Sequence, residues 1–109
     1  MKDERAYLEH ILRCCQRIKE DCAAGRDAVF ESHTLQDALL RNLQVLCESA
    51  QRLTPETKSA HGQIPWNAIS GMRNVLVHDY FDIDFEVIWM IVVRDLPVLE
   101  AAIRHQLGR

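Results

Sequence analysis

Apolar positions recur through the first two dozen residues with the period of an α-helix. Tyr7, Leu8, Ile11, Leu12, Cys15, Ile18 and Cys22 fall on one stripe between residues 3 and 23. Asp3 is placed to cap the start, and Gly25 lies just beyond the end. A second helical pattern begins near "HTLQD" and runs through "ALLRNLQVLCESAQRL". Thr34 is its N-cap candidate, with Asp37 three residues on in a weaker version of the capping box. Apolar residues cover more than half of its circumference, so it should touch more than one partner. "TPETKSAHGQIP" (54–65) carries two prolines and a glycine and reads as a loop. Pro65 suits the first turn of a third helix reaching about His78, after which "DYFDID" breaks the pattern. Asp82 or Asp84 can cap a fourth helix.

The fourth segment contains "VIWMIVV", whose β-branched residues also suit a strand. No second strand candidate exists to pair with it, and an unpaired strand leaves its backbone groups unsatisfied. As a helix, Ile88, Val92, Leu96, Leu99, Ile103 and Leu107 form one stripe, with Pro97 expected to kink it by removing the bond to the Val93 carbonyl. The expected fold is all-α, an antiparallel up-down bundle of four to five helices.

On a helical wheel the third helix divides. Val75, Ala68, Met72, Leu76 and Ile69 share one arc, the expected core face. Arg73, Val77, Ser70, Asn74, Asn67, His78 and Gly71 share the other, which is polar or small except for Val77. Asn74 and His78 lie one turn apart, over one another. Arg73 can hold a phosphate. Asn74 can donate to an oxygen or fix an imidazole tautomer. His78 is the side-chain type that exchanges protons near neutral pH. Together they suit phosphodiester chemistry without a metal, although the same spacing also fits a solvated helix face.

The chain has 109 residues, one domain by length (1–109), and is 48% apolar, enough for a core. The longest apolar run is far short of a membrane span, and "MKDERAYLEH" lacks a signal-peptide stretch, so a cytoplasmic location is expected. The net charge of −3 argues against bulk electrostatic attachment to nucleic acid, so such activity must come from local groups. Cys14, Cys15, Cys22 and Cys47 form no C-x-x-C pair and are expected to be buried or half-buried thiols. His10 and Cys14 have helical ligand spacing but no second pair to complete a metal site. Trp66 and Trp89 read as core or interface anchors. His10, His33, His61 and His105 read as solvated, and Asp79 and Asp82 as loop and cap residues.

"IPWNAISGMRNVLVHDYFDID", followed by "VIWMIVVRDLPVLEAAI", resembles the HepT family of the HEPN superfamily. The superfamily signature is an Arg, usually followed by a polar residue, with a His four to six residues after the Arg; here these are Arg73, Asn74 and His78. The HepT form adds a tyrosine two after the His, which is Tyr80. "DALLRNLQVLCESAQRL" is similar to the family's second helix, so the likeness covers nearly the whole chain. The resemblance implies an all-α homodimer that cleaves RNA without a metal or other cofactor, by attack of the 2′-OH. It implies catalytic roles for Arg73, Asn74 and His78. It also implies the toxin of a toxin–antitoxin pair, neutralised when an MNT-type nucleotidyltransferase transfers AMP to Tyr80. The rival reading is a non-catalytic module that binds nucleotide or substrate, or only dimerises, beside such a transferase.

Overall fold

In the computed structural model of this chain residues 3–109 are described. They form α1 (Glu4–Asp21), α2 (Arg26–Phe30), α3 (His33–Gln51), α4 (Pro55–Ala60), α5 (Trp66–His78), α6 (Phe85–Met90) and α7 (Leu96–Gln106). A 3₁₀ turn spans Tyr80–Asp82, and a π-helical stretch over Ile91–Asp95 joins α6 to α7. No strand occurs among the described residues. The fold is all-α, as the hydrophobic pattern predicted, and agrees with the HEPN-like fold that the resemblance implies.

Local chemistry sets the helix boundaries. The Asp3 carboxylate accepts from the Arg5 N–H at 3.0 Å and starts α1. Gly25 then takes φ +98°, a left-handed value that strains other residues, and α2 follows at once. The cap of α3 is Ser32 and not Thr34: the Ser32 Oγ accepts from the Leu35 N–H at 3.1 Å. Thr34 is already inside the helix, so its hydroxyl has no orphan N–H of the first turn to cap.

The expected loop 54–65 contains α4. Thr54 Oγ1 accepts from the Thr57 N–H at 3.2 Å, and Pro55 occupies the first turn, where its missing N–H costs nothing. Of the two capping candidates for the last segment, Asp84 is used; it accepts from the Glu86 N–H at 2.9 Å.

Cross-helix contacts give the directions. Glu4, at the start of α1, receives the Thr54 N–H at 2.6 Å and the Thr57 hydroxyl at 2.9 Å, both beyond the end of α3. Those two helices therefore run antiparallel. Lys19 near the end of α1 pairs with Glu100 at 2.7 Å, while Glu9 near its start meets Arg109, so α7 also opposes α1. Asp37 and Glu48 of α3 meet Tyr80 and Arg73 respectively, which sets α5 antiparallel to α3. The fully buried centre is Ile11, Cys15 and Ile18 of α1, Leu39, Leu43, Leu46 and Cys47 of α3, Val29 and Ile103.

The "VIWMIVV" segment is helical, and its irregularity precedes Pro97 instead of sitting on it. Pro97 lies in the first turn of α7, and the π-helical stretch just before it takes up the turn in which the proline bond is missing. No helix among the described residues is long and apolar enough to cross a membrane.

The face of α5 differs from the wheel. Leu76 is buried, and Trp66, Ile69 and Met72 pack half-buried on the core, but Val75 and Ala68 are exposed. Arg73 and Ser70 turn partly inward instead. The cause is that α5 packs chiefly on α3. An apolar groove lined by Leu46, Ile64, Met72, Ile91, Leu96 and Leu99 separates it from the α6–α7 side.

Candidate functional site

The last two turns of α5 and the 3₁₀ turn after it run along one face of α3, with Arg73 beside Glu48 and Tyr80 beside Asp37. Arg73 is half-buried. Its Nη2 lies 3.8 Å from Glu48 Oε2, and its Nη1 donates to Asn74 Oδ1 at 3.4 Å. Its Nε is buried without a hydrogen-bond partner. Both contacts are long for hydrogen bonds, so the guanidinium is charge-balanced yet keeps most of its five donors uncommitted. Asn74 is exposed and steers one arm of the guanidinium.

His78 is the final residue of α5. The helix closes behind it through the Asp79 N–H, which donates to the Val75 carbonyl at 2.9 Å. The imidazole is exposed and has no polar partner among the described residues. Such a ring can hydrogen-bond directly to a ligand. Tyr80 sits in the 3₁₀ turn, is 40% exposed, and donates its hydroxyl to Asp37 Oδ1 at 2.7 Å. That hydrogen bond, with a smaller contribution from burial, pushes the phenol above its ordinary value, because the carboxylate favours the protonated hydroxyl.

Asp37 and Glu48 are the residues of this region that the sequence reading left out. They stand on one face of α3, three turns apart, and each ties down one residue of the R-N-H-Y set. Their common face is the signal in the sequence, where Asp37 reads as a cap, but helical periodicity alone does not tell which neighbour a polar face meets.

Several other readings hold or change. Cys14, Cys15 and Cys47 are buried free thiols and Cys22 is half-buried. Burial pushes Cys15 and Cys47 up to about 12. Trp66 packs against the core while its indole N–H is shared between the carbonyls of Lys58 (3.0 Å) and His61 (3.2 Å). Trp89 also packs on the core. His61 is not solvated. It is buried, bonded to Gln106 Oε1 at 3.1 Å and set edge-to-face on His105. His10 is half-buried against Tyr7, and His33 and His105 are exposed. Among the described residues no three His, Cys, Asp or Glu side chains gather as a cation site.

Residues 11–106 match the family described as Ribonuclease HepT-like. The chain belongs to the HepT-like ribonuclease family. A protein of Caldanaerobacter subterraneus subsp. tengcongensis, named as a candidate RNase, is 32% identical over 100% of this chain and 98% of its own length. A protein of Methanocaldococcus jannaschii named as a gamma-glutamylcyclotransferase and candidate RNase is 34% identical over 94% of this chain; the match spans 46% of that longer protein. A probable ribonuclease HepT of Thermococcus cleftensis is 31% identical over 91% of both chains. No solved structure matches the chain significantly. For a HepT-like ribonuclease the polymer is RNA. Arg73 and His78 stand five residues apart on α5, and a guanidinium and an imidazole are side-chain types that can act on a phosphodiester.

Proposed function

We propose that this chain is a metal-independent endoribonuclease, the toxin of a toxin–antitoxin pair, with Arg73, Asn74 and His78 at its catalytic site. The observation that supports this best is the pairing, on two successive turns of α5, of a guanidinium with uncommitted donors and an exposed imidazole without a protein partner. In this reading a base takes the proton of the RNA 2′-OH, and that oxygen attacks the adjacent phosphorus. The P–O5′ bond breaks, and an acid protonates the leaving 5′ oxygen. Arg73 stabilises the charge that builds on the phosphoryl oxygens. Asn74 Oδ1 accepts from one arm of the guanidinium.

Each chain offers one imidazole here, whereas the reaction uses a base and an acid. A homodimer with α5 near the two-fold axis supplies both. The exposed apolar side chains support such an interface: Val75 and Val77 on α5 and Val87, Met90, Val93 and Val98 on the α6–α7 side. Tyr80 is the acceptor for AMP from an MNT-type nucleotidyltransferase. Its oxygen bonds to the α-phosphorus of a nucleoside triphosphate, pyrophosphate leaves, and the phenolic proton is lost. Asp37 repels the new phosphate and the Tyr80–Asp37 bond is lost, and the attached nucleotide competes with RNA for the surface of α5.

The product ends test the chemistry. Attack by the 2′-OH leaves a 2′,3′-cyclic phosphate and a 5′-hydroxyl. Fragments bearing a 5′-phosphate and a 3′-hydroxyl would overturn it.

A further inference from the structure

The 3₁₀ turn beyond His78 holds one side chain that the folding of this chain leaves unexplained. Phe81 is 97% exposed, while the next most exposed large apolar side chain among the described residues, Val87, is 54% exposed. A bare phenyl ring gains nothing for the monomer. The turn that carries it is nevertheless anchored. Tyr80 packs edge-to-face against it, with ring centroids 5.6 Å apart and planes at 86°, and Tyr80 is tied to α3 through Asp37. The turn is closed by the Asp82 N–H donating to the Asp79 carbonyl at 2.9 Å. A perpendicular neighbour takes up an edge contact and leaves ring face open for a flat ligand.

Phe81 follows His78 by three residues, so the two Cα atoms lie within about 11 Å of each other. A short stretch of single-stranded RNA covers that span. Charge assigns the parts of such a strand. Asp79, Asp82 and Asp84 surround Phe81 in sequence, so the turn repels phosphate, whereas Arg73 attracts it. The backbone therefore falls to Arg73 and a base falls to the turn. Bases carry amino and imino donors that carboxylates accept, and every base has a face that stacks on an aromatic ring.

We propose that Phe81 is a substrate-binding residue of this ribonuclease, the platform on which an unpaired base of the RNA stacks beside the scissile phosphate. The proposal rests on the site at Arg73 and His78, and it explains why a chain of net charge −3 can hold RNA without a broad basic surface. It also restricts the substrate to single-stranded segments, because a paired base does not offer its face.

Binding is measured by fluorescence anisotropy with a labelled short single-stranded RNA, in the His78→Ala background, so that affinity is read apart from cleavage. Phe81→Ala is expected to weaken binding about 5- to 100-fold, the range of one base stacked on an aromatic ring. Phe81→Leu should be nearly as weak, and Phe81→Trp should bind as well as the parent. In the cleaving chain the loss from Phe81→Ala should fall mainly on KM. Equal affinity for Phe81→Leu and the parent would overturn stacking. Unchanged RNA affinity in Phe81→Ala, with weakened self-association or weakened binding of a partner protein, would make Phe81 a protein contact and overturn the proposal. If His78→Ala still cleaves, the catalytic reading fails while the anisotropy still judges Phe81.

Discussion

Arg73 is held in the fold without its donors being used up. A guanidinium in an ideal salt bridge has its donors occupied; here Glu48 stands at 3.8 Å and Nε has no partner. Arg73→Ala is expected to lower kcat by about 10²–10³, the usual loss on removing a group that stabilises developing charge. Arg73→Lys should recover only part of it, because an ammonium lacks the planar fork. Steady-state cleavage of a defined oligonucleotide checks both, and full activity in Arg73→Lys would show that a point charge suffices. Tyr80 titrates above the ordinary phenol because of Asp37. The raised value belongs to the folded state, so the small stability it contributes is present below the ordinary phenol pKa and is lost as pH rises through the raised one. Asp37→Asn should move the alkaline absorbance change of Tyr80 downward in pH, with Tyr80→Phe identifying its share beside Tyr7. No movement would mean that the bond is absent in solution.

At the scale of elements, the helices expected from periodicity are present, and the differences trace to chemistry that periodicity does not carry. Ser32 caps α3 because its oxygen reaches the Leu35 N–H. Ser32→Ala should lower stability by about 1 kcal/mol and Thr34→Ala by much less, as read from urea midpoints; the reverse ranking would put the helix start at Thr34. Two prolines and a glycine make residues 54–65 read as a loop, whereas Pro55 opens α4. The R-N-H-Y set was legible because it lies on one element and the turn that follows. Glu48 and Asp37 were not, because they belong to another helix and only tertiary packing brings them close. The rotation of α5 was hidden for the same reason: Val75 is as apolar as a core residue, and only its exposure in the fold shows that the described residues leave much of it uncovered.

The whole molecule is locked where α1 and α7 meet. Glu100 is buried. Burial raises its carboxyl, but hydrogen bonds and charges from Lys19 and Arg104 outweigh that and hold it below its ordinary value of 4.5. A lowered folded value means that its stabilisation is present above the ordinary value and is lost as pH falls through the lowered one. Glu100→Gln should therefore flatten the acid end of the stability curve below about pH 4.5, measured by thermal melts across pH; an unchanged slope would show that other carboxylates govern acid unfolding. The exposed valines and Met90 predict self-association, so light scattering should report a dimer at micromolar concentration, and a monomer would count against two imidazoles sharing one site. The most direct measurement is the rate at which purified protein cleaves single-stranded RNA in excess EDTA, with His78 present and replaced by alanine. Cleavage should persist in the chelator and fall by about 10²–10⁴ in His78→Ala, the usual loss of one acid–base group. Cleavage that stops in EDTA, or that proceeds at the parent rate without His78, would contradict a metal-independent ribonuclease acting through that imidazole.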